Sequence, residues 1–209
     1  MKIVSLTEKR KNLTAICLED GSEYLVDSDL VTTENLTVQG EIEDVDELLL
    51  KSDFKRAKSR ALWYLSRSDH SKKALTDKLI KGGFSKESID LAMMRMEELG
   101  LINDETLAIR LNEYFSSQKM SKKEIYHKLI LKGIERELAK DIVFCDDESE
   151  SEKIKELLKT KYSSKLDSEE NIKKVYASLV RKGFSFSDIK EALKIYSEEL
   201  ENSEDSYGV

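Results

Sequence analysis

The side chains that most readily ligate metals or act as nucleophiles are scarce in this sequence, which has two histidines and two cysteines among 209 residues. Neither His70 nor His127 has cysteine, histidine or carboxylate partners at the spacing of a metal site. Cys17 and Cys145 show no pairing pattern, so we predict that both are reduced, as in a cytosolic protein. We therefore predict no catalytic residue, no metal and no cofactor.

Glycines and carboxylates also lack a catalytic pattern. The sequence has neither the G-x-x-x-x-G-K-[ST] phosphate loop nor the G-x-G-x-x-G dinucleotide turn, and the pair Gly82-Gly83 ends a predicted helix instead of opening one. The acidic stretch from Asp146 to Glu150 is typical of a solvated linker, because a two-carboxylate site needs an enclosed pocket. These patterns predict a protein that is not an enzyme.

Lysine and arginine side chains give the clearest functional pattern. The net charge is −7, but residues 1–50 carry 4 basic and 12 acidic side chains, whereas residues 51–100 carry 12 basic and 7 acidic ones. This local excess of cations favours contact with an acidic partner or with phosphates. The neighbouring aromatics Trp63 and Tyr64 are predicted to be core residues, not base-stacking platforms. The predicted partner-binding residues are Arg56, Arg60, Arg67, Lys72, Lys73, Lys78, Lys81, Lys122, Lys123, Lys128, Lys132, Lys173 and Lys174.

The elements that must position these cations follow from a repeat. Gly83, Gly133 and Gly183 recur at intervals of 50 residues, each after a helical pattern of apolar residues and each followed by Phe or Ile. Such a period indicates a repeat architecture. We predict that each glycine is the structural C′ residue of a helix, in the left-handed conformation, and that the apolar residue after it folds back on the last turn.

The repeat predicts a mainly α-helical fold of three tandem three-helix units, similar to helix-turn-helix units, that form an elongated, curved array. Ser71, Ser121 and Asn171 are the predicted N-caps of the second helices, and paired lysines follow each of them. Ser85 is the predicted N-cap of the third helix of unit one. A small antiparallel β-meander, with an Asp-Gly hairpin turn, precedes the repeats. The predicted segments are 1–50 for the meander and short helices, 51–102, 103–148 and 149–200 for the three units, and 201–209 for a flexible tail.

The first fifty residues break the repeat. A short helix is predicted to begin at Asp29 and a second to run from Glu43 to Lys51, and the first helix of unit one is predicted to begin at Asp53. The −8 charge of this segment argues against contact with DNA, because each phosphate contact needs a cation. No apolar run is long enough for a membrane span and no signal peptide is present, so we predict a cytoplasmic protein.

Three stretches of the chain resemble the RecX family of bacterial recombination regulators. The first stretch comprises Ala57, Ala61-Leu62, Tyr64-Leu65-Ser66-Arg67-Ser68, Ser71, Leu75, Lys78-Leu79 and Lys81-Gly82-Gly83-Phe84. The second is the joint Leu99-Gly100-Leu101-Ile102-Asn103-Asp104-Glu105 with Leu107-Ala108, and the third is the helix end Lys128-Leu129 with Leu131-Lys132-Gly133-Ile134. The similarity covers residues 53–199, and the β-rich extension resembles that of longer members from Gram-positive bacteria. The stretch Ser116–Lys123 lacks the glycine that family members often have there.

The resemblance implies a regulatory protein that modulates the recombinase RecA. Such proteins lie in the groove of the RecA filament on single-stranded DNA and inhibit its ATP hydrolysis, strand exchange and co-protease activity. The implied processes are homologous recombination, DNA repair and the SOS response. The implied partners are RecA and its nucleoprotein filament, with weak direct binding of single-stranded DNA left open, and the protein is expected to be a monomer.

Two other functions stay compatible with the sequence. The helix, short turn and helix around Gly83 or Gly183 could act as a helix-turn-helix that binds duplex DNA. A helical repeat could also serve as an adaptor for a different protein. The negative net charge disfavours the DNA-binding alternative.

Overall fold

The computed structural model describes residues 1–9, 12–145 and 149–205. Ten α-helices and three strands lie in these ranges, so the predicted class, mainly α with a small antiparallel sheet, is confirmed. The chain divides into two compact units, Met1–Asn103 and Asp104–Val209. The boundary between them lies one residue from the predicted boundary after residue 102.

The sheet is a meander of β1 (Ile3–Lys9), β2 (Leu13–Leu18) and β3 (Glu23–Asp27), in the order β1-β2-β3. Both pairs are antiparallel, as predicted. Gly21 of the Asp-Gly turn has a φ of +85°, a conformation that glycine adopts without strain. The polar turn predicted at residues 9–12 falls partly on residues 10 and 11, which lie outside the described ranges.

A single long helix links the sheet to the first three-helix unit. After α1 (Ser28–Thr33), which Asp27 caps, α2 runs without a break over Val45–Leu65. The prediction of two helices here, ending at Lys51 and beginning at Asp53, is therefore wrong. No glycine or proline interrupts this stretch, so the helix continues and the predicted boundary after residue 50 lies inside it. The Ser52 hydroxyl accepts the backbone N–H of Asp27 at 2.8 Å and ties the helix to the sheet.

The first three-helix unit consists of the second half of α2 with α3 (Lys72–Lys81) and α4 (Lys86–Glu98). Ser71 and Ser85 cap α3 and α4 by accepting backbone N–H groups, as predicted. The core of this unit comprises Ala57, Ala61, Leu75, Leu79, Ile89, Ala92, Met93, Met96 and Ile102.

The second compact unit holds the other two three-helix groups. One contains α5 (Asp104–Ser117), α6 (Lys122–Leu131) and α7 (Arg136–Val143), around a core that includes Leu107, Ile125 and Leu129. In the loop before α6, Lys119 takes a φ of +56°, the left-handed conformation that glycine adopts most easily. This residue lies in the stretch Ser116–Lys123, which contains no glycine.

The last group contains α8 (Ser151–Leu157), α9 (Glu169–Arg181) and α10 (Phe186–Asp205). A π-helical turn over Leu158–Tyr162 and a 3₁₀ turn over Ser163–Lys165 follow α8. Both turns lie in the connection between α8 and α9.

Two expectations about the third group are corrected. Asn171 is not an N-cap: α9 begins at Glu169, and the Ser168 hydroxyl accepts the N–H of Asn171. Lys173-Lys174 therefore lies in the second turn and not at the helix start. The tail predicted from residue 201 is helical as far as Asp205, and residues 206–209 lie outside the described ranges.

The repeated glycines end their helices as predicted. Gly83, Gly133 and Gly183 have φ values of +81°, +89° and +94°. In each copy the N–H of the following apolar residue donates to the carbonyl five residues back, and the glycine N–H donates three residues back. These two bonds define the Schellman motif. They bring Ile134 and Phe184 into the core and place Phe84 against it.

Candidate partner-binding surfaces

Arginine and lysine side chains of the first unit gather around two aromatic rings. The guanidinium carbons of Arg60 and Arg67 lie 4.7 Å and 4.2 Å from the centre of the Trp63 ring. Lys78 Nζ lies 4.8 Å from the ring centre of Tyr64, which also contacts Arg60 at 5.3 Å. Cations over aromatic faces are attracted by the ring quadrupole. We call these five residues, Arg60, Trp63, Tyr64, Arg67 and Lys78, the basic–aromatic surface.

Trp63 corrects one sequence expectation. Its side chain is 41% exposed, whereas a core position is predicted from the sequence. Tyr64 is half-buried and packs against the core of the first unit, as predicted. Both rings extend from the last turn of α2, and helical spacing alone cannot separate an inward from an outward position there because the helix ends.

The other predicted cations of the first unit are partly neutralised. Lys72 Nζ lies 2.8 Å from a Glu97 carboxylate oxygen. Arg56 lies 3.7 Å from Asp53 and 5.7 Å from the ring centre of Phe84. Lys73 and Lys81 are exposed on α3. The cations available to a partner are therefore fewer than those predicted from the sequence.

The predicted cations of the second unit lie at two different helices, α6 and α9. Lys173 and Lys174 pair with Glu169 and Glu170 one turn earlier in α9, both at 2.7 Å. Exposed pairs of this kind contribute little to stability, but they lower the local positive charge. The remaining four lie on or just after α6: Lys122, Lys123, Lys128 and Lys132.

The start of α6 is joined to the end of α9 by short hydrogen bonds. The Ser121 hydroxyl accepts the N–H of Glu124 at 3.1 Å, as an N-cap, and donates to the Lys182 carbonyl at 2.5 Å. A Cβ atom on Gly183 would lie only 2.9 Å from Ser121 Oγ and 3.1 Å from Lys123 Cβ. Gly183 is thus needed for its φ and for this close approach of the two helices.

Glu150 secures the same joint from another side. Its carboxylate accepts the N–H of Lys122 at 2.8 Å and lies 3.5 Å from Lys153 Nζ. Since Glu150 is only 7% exposed, the interpretation of Asp146–Glu150 as a solvated linker is wrong at this residue; residues 146–148 lie outside the described ranges. Burial raises the pKa of Glu150 above its ordinary value of 4.5, although the bond from Lys122 and the charge of Lys153 oppose this shift.

Because the pKa of Glu150 is raised, we predict that the folding stability of the protein depends on pH. The folded chain binds this proton more tightly than the unfolded chain, so stability falls as the pH rises from about 4 through the raised pKa. Glu150→Gln keeps an acceptor for Lys122 and removes the titration. We therefore expect the variant to be more stable at pH 7, relative to the native sequence, than it is at pH 4. Urea denaturation at both pH values measures this difference, and an equal effect at the two pH values would contradict it.

A groove lies beside this joint, between α6 and the C-terminal end of α9, with a volume of about 530 Å³. Lys123, His127 and Leu131 recur every four residues and therefore share one face of α6. We call it the α6–α9 groove. Its lining comprises Lys123, Glu124, His127, Lys128, Leu131, Val180, Arg181, Lys182 and Gly183.

Lys123 and Lys128 are among the partner-binding residues predicted from the sequence, whereas the groove is not predicted. Residues from the second and third repeats form it together, and only packing brings α6 and α9 side by side. One signal was present in the repeat: Leu131 aligns with Lys81 and Arg181 at 50-residue offsets. At this position the second repeat is apolar, whereas the other two repeats are charged.

His127 lies in the α6–α9 groove, and the His70 ring packs edge-on against Tyr64, with 6.1 Å between the ring centres. Over residues 1–9, 12–145 and 149–205, no group of three His, Cys, Asp or Glu side chains could hold a metal ion. His70 Nε2 lies 3.2 Å from the Ser68 hydroxyl. In the same ranges, no helix is long and apolar enough to cross a bilayer.

Comparison with known proteins gives the family. Family models described as the first and the third three-helix domains of RecX match residues 57–96 and 148–193. A regulatory protein RecX from Caldanaerobacter subterraneus subsp. tengcongensis is 32% identical over 147 residues, which cover 68% of this chain and 71% of that protein. The chain belongs to the RecX family. A regulatory protein RecX from Streptococcus gordonii is 28% identical over 98% of this chain and 81% of its own length.

Solved RecX structures agree with the fold. The crystal structure of RecX from Lactobacillus salivarius has a TM-score of 0.61 and 28% identity, over 69% of this chain and 97% of that one. Another crystal structure of regulatory protein RecX has a TM-score of 0.66 over 92% of this chain and 98% of that one, at 21% identity. As a RecX family member, the chain has a regulatory role, which is consistent with a protein that is not an enzyme.

Proposed function

We propose that this protein binds the RecA filament on single-stranded DNA and inhibits its ATP hydrolysis, strand exchange and co-protease activity. Membership of the RecX family gives the regulatory role. The single observation that supports a contact with the filament is the basic–aromatic surface, in which two arginines flank an exposed tryptophan.

The chemistry of that surface suits a nucleoprotein partner. A filament on DNA presents phosphates and protein carboxylates, and both attract cations at long range. Tryptophan, tyrosine and arginine are also the residue types that contribute most to binding energy at protein interfaces. The stretch from residue 54 to residue 82 contains nine lysines and arginines and two aspartates, so its net charge is strongly positive.

The acidic N-terminal segment is assigned a different role. Lys55 of α2 contacts Asp27 at 2.8 Å and Asp29 at 2.9 Å, so one cation of the basic stretch neutralises part of the segment. We assign the sheet to the support of α2 and the three-helix unit to the contact.

The test is the DNA-dependent ATPase activity of RecA, measured with increasing amounts of the full-length protein. We expect inhibition that saturates as the added protein approaches the number of binding sites on the filament, together with shorter filaments. Unchanged ATPase activity at a stoichiometric excess would reject the proposal.

Direct binding of single-stranded DNA is the second candidate, and the exposed Trp63 ring favours it because bases stack on aromatic side chains. Fluorescence anisotropy with labelled oligothymidylate, in the absence of RecA, separates the two. Binding that weakens steeply with salt and is lost in Trp63→Ala would support direct contact. If the oligonucleotide does not bind at the concentrations that inhibit RecA, only the contact with the RecA protein remains supported.

A further inference from the structure

The α6–α9 groove combines cationic walls with an exposed apolar residue. Lys123, Lys128, Arg181 and Lys182 line it, against the single carboxylate of Glu124. We propose that this groove binds an acidic peptide segment that carries one large apolar anchor residue. The site lies wholly in the second unit and shares no residue with the basic–aromatic surface, so the proposal does not depend on the RecA contact.

The four cations are available to a ligand. Within residues 1–9, 12–145 and 149–205, none of them forms an ion pair. Arg181 Nε donates to the Ala177 carbonyl at 3.3 Å, and Lys128 Nζ lies 5.5 Å from the ring centre of Phe115. Neither contact cancels positive charge, so the groove keeps a net excess of cations that only an external anion can neutralise.

The exposed side chain of Leu131 distinguishes between the two kinds of anionic ligand, nucleic acid and acidic peptide. Its side chain is 86% exposed, on the α6 face that Lys123 and His127 share. The copies of this position hold Lys81 and Arg181, so the helix end does not need an apolar residue for folding. A phosphodiester backbone would leave Leu131 in water, whereas an apolar side chain of a peptide would cover it. The groove therefore favours an acidic peptide over nucleic acid.

The walls of the groove are held in place before a ligand arrives. The 2.5 Å bond from Ser121 to the Lys182 carbonyl fixes the end of α9 against the start of α6. Gly183, which lacks a Cβ atom, allows Lys123 to approach closely. A site that is already ordered loses less conformational freedom on binding, so even a short peptide can bind measurably.

The test uses the full-length protein and a fluorescein-labelled peptide of eight residues, with one phenylalanine in the centre and glutamate or aspartate elsewhere. A second peptide has serine in place of the phenylalanine, and oligothymidylate provides the phosphate probe. We expect saturable binding of the first peptide, and a dissociation constant about tenfold higher for the serine peptide. Equal affinity for the two peptides, or displacement of the first by low concentrations of oligothymidylate, would overturn the proposal.

A pair of variants locates the binding. Leu131→Lys places in the groove the residue found at the aligned position of the first repeat, so it adds positive charge while it removes the apolar contact. We expect this variant to lose the tenfold preference for the phenylalanine peptide. Ile109→Lys is the matched control, because Ile109 is an exposed residue of α5 in the same unit, outside the groove. Retention of the preference in Leu131→Lys, or its loss in Ile109→Lys, would overturn the assignment.

Charge is tested separately. Arg181→Gln is expected to weaken binding of both peptides severalfold. Lys190→Gln, which changes an exposed residue of α10, is expected to leave both unchanged. An equal effect of the two substitutions would mean that the peptide responds to net charge and not to this groove. Far-ultraviolet circular dichroism confirms that each variant is folded. Since RecA is absent, failure of this proposal and failure of the proposed function are distinguishable.

Discussion

Replacement of Arg60, Arg67 and Lys78 together by glutamate is expected to raise the concentration needed for half-inhibition of the RecA ATPase by roughly a hundredfold. Each reversal exchanges an attraction for a repulsion at a partner contact, at a cost of about 1 kcal/mol, and 1.4 kcal/mol corresponds to a factor of ten. The three changes also remove the cations that flank Trp63 and Tyr64.

The control for this prediction has the same change in net charge. Lys161, Lys165 and Lys190 are exposed, lie in the second unit and belong to neither surface. Their joint replacement by glutamate should shift the inhibition curve less than threefold. If both triple variants shift the curve equally, the effect is one of overall charge and the contact does not lie at the basic–aromatic surface. Helical circular dichroism must stay native in both.

Gly183→Ala is expected to destabilise the protein by about 2–5 kcal/mol, against about 1–2 kcal/mol for Gly83→Ala. Both glycines have a φ near +90°, where an L-residue costs about 1–2 kcal/mol. Around Gly83 a Cβ would meet no atom within 4 Å, whereas at Gly183 it would collide with Ser121 and Lys123. Overpacking of this kind costs about 1–3 kcal/mol more.

Urea denaturation followed by circular dichroism measures the two effects. Hydrogen exchange at the amides of α6 and α9 gives the local readout: Gly183→Ala should lower protection in both helices, because the substitution forces them apart. Gly83→Ala should leave the exchange of α6 and α9 unchanged. Equal destabilisation by the two substitutions would show that the close contact at Gly183 relaxes without cost.

Local patterns predicted much of the fold correctly, since they depend on neighbouring residues. The Schellman ends at the three glycines, the caps at Ser71, Ser85 and Ser121, and the Asp-Gly hairpin all follow from backbone chemistry within a few residues. The buried leucines Leu79, Leu129 and Leu179, each 0% exposed, follow from helical periodicity and the 50-residue register.

Predictions failed where a long-range contact or a helix end decided the outcome. The α2 helix continues through Lys51 and Ser52, because nothing in the chain stops it and Ser52 bonds to the sheet. Asn171 lies inside a helix that an earlier serine already caps. Trp63 points to solvent from the last turn of α2, where the helical pattern no longer fixes its side.

The sequence by itself determined the repeat, the helix ends that its glycines impose, the excess of cations in the first unit and the resemblance to RecX. The tertiary structure decided which cations are neutralised, that two arginines flank Trp63, and that Glu150 is buried. It also placed α6 beside α9 to form the α6–α9 groove. The physical reason is one of range: caps and periodicity act within a few residues, whereas a groove and a buried carboxylate depend on contacts between residues 28 to 61 positions apart.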